Sequence, residues 1–385
     1  MKIAILCTDN REHHRNYDLA TPYFGTAPEA LLQGFAALPG IEVHVVSCTQ
    51  RPMQSPEKIT DNIWFHSLHV PKIGWLRTGY QGCIRATRKF LRELRPDIVH
   101  GQGTERDCAI SAVLSGFPNV VTIHGNMAQL AMLFNARIGT YPWMAARLEN
   151  FALRRTAGVF CNSEYTENLV RPRAKTTWRV PNAVRRAFLT PTQSPVCSGE
   201  CVLLCVGLIM PRKRQLELLD VAKELVDNGQ RFELHFIGHA DPSKTYVKDF
   251  FEKIRSLGLQ THVKYIEELS TEQLIERFDS ASALLHFPME EAFGLVVAEA
   301  LTRNLKVFAS RVGGIPEIIS GVPEAELFAE RDWKGLTVGI SHWMSANCPR
   351  ANQADIIMRQ RYSPSNVARR HLEIYEKILE RGQSQ

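Results

Sequence analysis

Two glutamates lie around the start of a predicted helix in the segment PMEEAFGLVVAEAL. Apolar residues recur at helical spacing from Phe293 onward, so the helix is expected to begin near Gly294, directly after a buried strand. The first N–H groups of a helix have no partner within it, and Gly294 has no Cβ to keep a phosphate from the backbone. Glu291 precedes the helix, and Glu299 lies about two turns into it, where a carboxylate can accept hydrogen bonds from a vicinal diol. The competing interpretation is an ordinary acidic helix start, with Glu299 facing solvent.

A basic turn follows an earlier predicted strand, Val202–Val206. In the segment GLIMPRKR, Arg212 and Lys213 stand at the entry to a predicted helix over Gln215–Asn228. Arginine binds phosphate as a two-pronged fork and lysine as a point charge. The segment lacks the Walker A spacing, and a solvated basic turn is the competing interpretation. Because the turn and the Glu291 helix both follow strands in one half of the chain, both could contact one pyrophosphate.

A third candidate group lies in the first half of the chain. Gly25 comes just before a predicted helix over Pro28–Ala37, which makes a second anion-friendly helix start. His124 ends the predicted strand Val120–His124 and is followed by Gly125. A histidine there is expected at the mouth of a ligand site, and the competing interpretation is a packed or capping histidine.

The elements that position these residues alternate between short apolar strands and amphipathic helices, in two sets. Strands without internal polar alternation are typical of parallel sheets covered on both faces, so the sequence predicts an α/β fold with two doubly wound, Rossmann-like domains. Ligands of such sheets bind at the carboxyl ends of the strands, and two such domains are expected to face a cleft. The further strands are predicted at Ile3–Cys7, Glu42–Ser47, Trp64–Val70, Ile98–Gly101, Gly158–Asn162, Glu233–Ile237, Val263–Tyr265, Ala283–Phe287 and Lys306–Ala309.

The break between the two sets falls at TPTQSPVCSGE, which has no apolar period and is rich in Pro, Ser and Thr. We therefore predict a first domain over residues 1–189, a linker over 190–200 and a second domain over 201–362. A final segment, 363–385, contains a predicted helix over Ser363–Glu380, with Ser363 as its cap and Pro364 in the first turn.

Composition excludes several classes of protein. The net charge of +6 in 385 residues is below that of a typical nucleic-acid domain, and no nucleic-acid partner is expected. The nine cysteines show no metal-ligand spacing, so we expect reduced thiols and no bound metal. No apolar run reaches the length of a membrane span, and the N-terminal apolar run is too short for a signal peptide, which predicts a cytoplasmic protein.

One predicted helix, Gln81–Leu94, carries basic residues at helical spacing. This face predicts peripheral contact with the inner face of a membrane, and a solvated face is the competing interpretation. Its members are Arg85, Arg88, Lys89, Arg92 and Arg95.

Taken together, these motifs resemble the retaining glycosyltransferases of family 4, the group 1 glycosyl transferases with the two-Rossmann GT-B fold. The likeness spans most of the chain and is most specific in EEAFGLVVAEA, which resembles the E-x7-E element of that family. The following VGGIPEII resembles its GG-x-P-E stretch, and PRK resembles its phosphate-binding turn. Leu208 stands where the family often has an arginine, and the paired glycines of its first loop are reduced to Gly25.

The resemblance implies a role for each candidate residue. Lys213 and Arg212 would hold the donor pyrophosphate, with the backbone at Gly294 and Leu295 adding to phosphate binding. Glu291 would contact the transferred sugar, Glu299 the ribose, and His124 would lie beside the sugar, whereas Gly25 belongs to the first loop of the donor site. The last helix would cross back to the first domain.

The sequence and the resemblance together predict an enzyme that moves a hexosyl-type group from a nucleotide-diphosphate sugar to an acceptor. Retention of configuration is implied by the resemblance alone. The acceptor classes left open are a glycan, a lipid-linked glycan and a small molecule, and no cofactor or metal is expected. Two other classes stay open: a non-catalytic sugar-nucleotide-binding protein and a Rossmann NAD-dependent oxidoreductase. Against the latter, the first strand is followed by TDNR and by no GxGxxG motif.

Overall fold

The computed structural model describes residues 1–190 and 201–383, with side chains to residue 381. The chain divides into two compact units, the first comprising Met1–Arg185 and Tyr362–Gln385 and the second Arg186–Arg361. Except for Thr190, the predicted linker lies outside the described residues.

The first unit is built on an eight-stranded sheet with the order β3-β4-β2-β1-β5-β6-β7-β8. All neighbours are parallel except β3 and β4. The inner strands are buried on both faces, which is why they read as continuous apolar runs in the sequence. The strands are β1 (Lys2–Leu6), β2 (Glu42–Thr49), β3 (Lys58–Thr60), β4 (Ile63–His69), β5 (Ile98–Gln102), β6 (Asn119–Ile123), β7 (Gly158–Cys161) and β8 (Thr177–Arg179).

Helices connect these strands as crossovers of parallel sheets require. They are α1 (Asn10–His14), α2 (Thr26–Ala36), α3 (Gln81–Leu94), α4 (Cys108–Val113), α5 (Met127–Leu133), α6 (Tyr141–Leu153) and α7 (Glu164–Val170). Helix α2 buries Leu31 and Phe35 against Ile3 and Ile5 of β1 in the core of this unit.

The second unit has a six-stranded parallel sheet with the order β11-β10-β9-β12-β13-β14. Its strands are β9 (Cys201–Val206), β10 (Phe232–Ile237), β11 (Val263–Ile266), β12 (Ala283–His286), β13 (Lys306–Ser310) and β14 (Ala325–Phe328). Its helices are α8 (Gln215–Asp227), α9 (Thr245–Ser256), α10 (Thr271–Ser280), α11 (Leu295–Thr302), α12 (Ile315–Ile319), α13 (Trp333–Ser345) and α14 (Ala354–Tyr362).

In both sheets the strand order reverses next to the first strand of the unit. The chain leaves β9 toward β10 and β11, and it then returns to build β12, β13 and β14 on the other side of β9. The loops that follow β9 and β12 therefore flank a topological switch point, where open α/β sheets bind their ligands. In the first unit the corresponding loops follow β1 and β5.

The final helix, α15 (Pro364–Gln383), belongs to the first unit by its contacts. Ala368 and Tyr375 are buried in the same core as Phe35 of α2. The turn Arg186–Leu189 is grouped instead with the second unit, whereas the predicted first domain extended to residue 189. The reason is packing, since the Phe188 ring contacts Phe278.

The predicted fold class is confirmed: two Rossmann-like sheets, parallel except for β3, each with helices between its strands. Within residues 1–190 and 201–383, no helix is both long and apolar enough to cross a membrane.

Candidate functional site

The basic turn after β9 is held by close backbone packing between two strand ends. Gly207 directly follows β9 with a φ of 146°, and its N–H donates to Ile237 O at 2.8 Å. A Cβ on Gly238, just after β10, would lie 2.4 Å from Gly207 O, so this approach requires glycine. The 3₁₀ turn Pro211–Lys213 and Arg214, with a φ of 54°, then lead into α8. Arg212 and Lys213 are thus fixed at the carboxyl end of the sheet.

The acidic loop after β12 is tied to the basic turn by the backbone. Met289 N–H donates to Arg212 O at 2.8 Å, and Gly314 N–H donates to Glu291 O at 3.0 Å. A Cβ on Gly313 would lie 1.7 Å from that same carbonyl oxygen, and Gly313 has a φ of 56°. This glycine of the GG-x-P-E stretch is therefore required by the loop that carries Glu291.

Two ion pairs join the turn and the loop side by side. Lys213 Nζ lies 2.7 Å from Oε2 of Glu291, and Arg212 donates from a guanidinium nitrogen to Oε2 of Glu290 at 3.3 Å. His286, at the end of β12, places Nε2 3.3 Å from Oε2 of Glu291. The structure thus brings three of the predicted residues, Arg212, Lys213 and Glu291, to one edge of the sheet.

The pKa values of the two adjacent carboxyl groups, Glu290 and Glu291, are shifted in opposite directions. Burial works to raise the pKa of Glu291, but the Lys213 ammonium and the His286 imidazole outweigh it and hold that pKa far below its ordinary value. Burial raises the pKa of Glu290, and Arg212 offsets only part of this effect. Burial lowers the pKa of His286. Glu291 is therefore a fixed negative charge beside the lysine at neutral pH.

The next helix begins as the sequence predicts. Gly294 is the N-cap of α11 with a φ of 103°, and Leu295 is the first helical residue. A Cβ on Gly294 would lie 3.2 Å from Ile315 Cγ1, so both conformation and space favour glycine. Glu299, in α11, is only 4% exposed, so the solvent-facing interpretation of this residue is wrong.

In the first unit, His124 follows β6, next to Gln102 at the end of β5 and Glu105 in the loop after it. Its Nε2 lies 2.9 Å from Gln102 Oε1. Glu105 accepts from Gly125 N–H at 2.9 Å, and burial raises the pKa of this carboxyl to about 7. Burial lowers the pKa of His124 to about 4, so the imidazole is neutral at pH 7.

Gly25 is the N-cap of α2, with an ordinary extended conformation. A Cβ there would meet only Pro28 Cδ, at 3.8 Å. The fold itself therefore does not require glycine at this position.

Sequence reasoning missed the partners of the candidate residues. Glu290 carries no separate signal in the sequence, because adjacent acids are common at a helix start and its arginine partner is 78 positions away in the chain. Gln102 and His286 each lie at the carboxyl end of a buried strand, and that position is the signal that could have found them.

One group of three side chains with metal-ligand chemistry occurs in the described part of the chain. Cys48, Cys83 and Asp107 are buried with their ligand atoms within 4.8 Å of one another. The contact between the thiols and their burial raise the pKa of Cys48 well above its ordinary value, which favours the protonated thiol. The expectation that the protein binds no metal stays a prediction.

Two family models match the chain along most of its length. Residues 29–187 match the model described as Glycosyltransferase Family 4, and residues 191–361 match Glycosyl transferases group 1. The first match lies in the first unit except for its last two residues, and the second match lies in the second unit.

Relatives and solved structures agree with these matches. The GPI3 subunit of phosphatidylinositol N-acetylglucosaminyltransferase from Saccharomyces cerevisiae is 24% identical over 310 residues, which cover 76% of this chain and 65% of that protein. The chain thus spans just under two-thirds of that relative. The 2-deoxystreptamine glucosyltransferase of Streptomyces kanamyceticus is 24% identical, covering 79% of this chain and 81% of the relative.

Among solved structures, sucrose-phosphate synthase from Thermosynechococcus elongatus superimposes with a TM-score of 0.79 at 16% identity, covering 99% of both chains. Anabaena HepE, solved in complex with UDP and glucose, has a TM-score of 0.73 at 17% identity, covering 98% of this chain and 99% of that one. Both likenesses concern the fold.

Proposed function

Because the chain belongs to the family 4, group 1 glycosyltransferases, we propose that it moves a hexosyl-type group from a nucleotide-diphosphate sugar to an acceptor hydroxyl. The observation that carries this proposal is that Arg212 and Lys213 follow β9 and the N-terminus of α11 follows β12, the two strands that flank the switch point. Two cations and a free helix N-terminus suit a diphosphate in charge and in hydrogen bonding.

In this proposal the bond between the anomeric carbon and the diphosphate oxygen breaks, and the diphosphate leaves as an anion. Lys213 has three N–H donors, so its ammonium can hold Glu291 and a phosphate oxygen at once. The Glu291 carboxylate then faces the positive charge that develops on the sugar, and preorganised charges of this kind are a main source of catalysis. Glu299 accepts from the ribose hydroxyls, and His124 contacts the sugar. The acceptor oxygen bonds to the anomeric carbon and gives its proton to the departing phosphate oxygen. Because this bond forms on the face that the diphosphate leaves, the sugar keeps its configuration.

The donor and acceptor are proposed by class. The solved neighbour HepE was crystallised with UDP-glucose, and the names of two relatives specify phosphatidylinositol and 2-deoxystreptamine. We therefore place UDP-sugars first among donors, and polyol-bearing lipids and small molecules first among acceptors, with glycans tested beside them.

The first experiment is a thermal-shift screen of the full chain against UDP, GDP, ADP, CDP and dTDP and their sugars, with NAD as the control. Ligands that bind the folded state raise its stability, by about 2.7 kcal/mol at a hundredfold excess over the dissociation constant. We expect one nucleoside diphosphate to stabilise the protein and its sugar to be transferred, with the anomeric configuration read by NMR. Stabilisation by NAD alone, or by no nucleotide, would contradict the proposal.

We also propose that transfer needs no divalent metal, because Arg212, Lys213 and the N-terminus of α11 supply the positive charge that the leaving diphosphate requires. Turnover is expected to stay the same after dialysis against EDTA. A loss of turnover that Mg²⁺ or Mn²⁺ restores would show that this assignment of charge is wrong.

Contact with a membrane is proposed as well, through the basic face of α3. Its residues Arg85, Arg88, Lys89 and Arg92 are exposed, while Cys83, Ile84, Thr87 and Leu91 are buried on the opposite side of the helix.

A further inference from the structure

A chain of hydrogen bonds runs through the interior of the first unit from the C-terminal helix to His124. The hydroxyl of Tyr375, in α15, lies 2.5 Å from His100 Nδ1, and Thr122 Oγ1 lies 2.6 Å from His100 Nε2. Gln102 Nε2 lies 3.2 Å from that same Nε2 and 3.4 Å from His100 Nδ1, and Gln102 Oε1 lies 2.9 Å from His124 Nε2. Tyr375, His100 and Gln102 are all buried.

The two histidines in this series of hydrogen bonds, His100 and His124, are neutral at pH 7. Burial, with His371 and His124 nearby, lowers the pKa of His100 well below its ordinary value, and burial alone lowers that of His124 to about 4. A neutral imidazole carries one proton, so one ring nitrogen donates and the other accepts.

The amide of Gln102 decides which nitrogen of His124 carries the proton. With the amide Nε2 directed at His100, the carbonyl oxygen faces His124, and a carbonyl oxygen only accepts. His124 must therefore donate from Nε2, which leaves Nδ1 without a proton. That Nδ1 is buried and has no hydrogen-bond partner in the described part of the chain. An unpaired buried acceptor at a proposed ligand site is a feature that calls for a functional reason.

We propose that Gln102 is a positioning residue that fixes His124 as the Nε2–H tautomer, so that Nδ1 accepts a hydrogen bond from a substrate hydroxyl. His100 and Tyr375 keep the amide of Gln102 in the orientation that this tautomer requires. The C-terminal helix thereby takes part in organising the site. The role of Nδ1 rests on the proposed function, whereas the tautomer is a property of the free protein.

The tautomer is measured first, on the full chain labelled with ¹⁵N-histidine. Long-range ¹H–¹⁵N spectra report which ring nitrogen is protonated, and comparison with His124→Gln identifies the His124 signals. We expect Nε2–H in the wild type and in Gln102→Glu, whose carboxylate still accepts from Nε2. Gln102→Leu removes the acceptor, and a substantial Nδ1–H population is expected. Nδ1–H or a charged imidazole in the wild type, or an unchanged spectrum in Gln102→Leu, would overturn the proposal.

Kinetics then test the consequence for transfer. Turnover is expected to fall roughly tenfold in Gln102→Leu, because misplacement of a substrate contact slows the reacting step, and to be largely restored in Gln102→Glu. Affinity for the nucleoside diphosphate should stay unchanged, since its proposed ligands are in the second unit. Gln81→Leu, at an exposed glutamine of α3, is the matched control, and thermal unfolding verifies that each variant is folded.

The outcomes separate the two proposals. Full turnover in both His124→Ala and Gln102→Leu would overturn the role of Nδ1, even if the tautomer is as expected. A protein that binds no nucleoside diphosphate would instead contradict the proposed function, and the NMR result would still decide the assignment of Gln102.

Discussion

At the scale of single residues, the adjacent glutamates 290 and 291 differ in pKa because their environments differ. Oε2 of Glu291 lies 2.7 Å from Nζ of Lys213. The side chain of Glu290 is less exposed, and its Oε2 lies 3.3 Å from a guanidinium nitrogen of Arg212. The pKa of the first is lowered and that of the second is raised. Pairs of carboxyl groups separated in this way are frequent at active sites. The charge of Glu291 is therefore the more firmly fixed of the two.

Replacing Lys213 by alanine tests the phosphate contact. A charge-assisted hydrogen bond contributes about 1.5–3 kcal/mol, so affinity for the nucleoside diphosphate should fall about tenfold or more. Isothermal calorimetry measures the affinity, and Lys223→Ala is the control, since that lysine is partly exposed on α8 and pairs with Asp227. Equal affinity in wild type and Lys213→Ala would exclude this lysine from the donor site.

Substitution of the two glutamates of the E-x7-E element should give different kinetic defects. Glu291→Gln removes a charge that acts on the transition state, so turnover should fall strongly while affinity for the bare nucleoside diphosphate changes little. Glu299→Gln weakens a contact to a part of the donor that does not react, which should raise mainly the Michaelis constant. Steady-state kinetics at saturating donor, with binding of the diphosphate alone, distinguishes the two.

The reverse pattern would exchange the proposed roles of Glu291 and Glu299. Wild-type behaviour in both variants would mean that the pair is an ordinary feature of the start of α11.

At the scale of elements, the buried strands were predictable, whereas of the four edge strands only β11 was predicted. Strands such as β1 and β12 are apolar except for one terminal residue each, Lys2 and His286, since parallel sheets bury both faces. By contrast, β8 and β14 are short and only partly buried, so their sequences carry no continuous apolar run.

The sequence also limits what can be predicted of the site. Lys213 and Glu291 follow strands and could be found, but their pairing across 78 positions depends on the sheet order.

The basic face of α3 can be tested as an element. Arg88→Glu with Lys89→Glu should weaken binding to vesicles that contain phosphatidylserine by about tenfold or more, because each basic residue near an anionic surface contributes about 1 kcal/mol. Binding to neutral phosphatidylcholine vesicles should not change. The control is Lys244→Glu with Arg331→Glu, two exposed residues of the second unit with the same change of net charge. Equal losses in both pairs, measured by sedimentation, would contradict docking through α3.

At the scale of the whole molecule, the first unit contains two separate parts of the sequence, and the second unit lies between them in the chain. Residues 362–385 are grouped with Met1–Arg185, so the first unit is not finished until the last helix is in place. Tyr375 and Ile374 are buried with Ile3 and Phe35 in one core, and the same tyrosine reaches the hydrogen-bond chain to His124. A helix at the end of the sequence thereby supports residues that lie far earlier in the chain.

The contact between α2 and α15 depends on Gly34. A Cβ there would lie 2.2 Å from Pro364 O and 2.8 Å from Ala368 Cβ, so alanine cannot fit unless α15 moves. Alanine is favoured over glycine within a helix by about 1 kcal/mol, but overpacking costs about 1–3 kcal/mol, and the net effect of Gly34→Ala should be destabilising.

Hydrogen exchange is the measurement that suits this prediction, because a chain with two units need not unfold in one step. We expect the amides of α15 to exchange faster in Gly34→Ala, and those of α8 in the second unit to keep the wild-type rate. Gly25→Ser, at the N-cap of the same helix α2, is the control: its Cβ meets only an atom 3.8 Å away, and serine is a favoured N-cap residue. Wild-type exchange of α15 in Gly34→Ala would show that the last helix does not depend on this contact, and faster exchange in both variants would trace the effect to α2 itself.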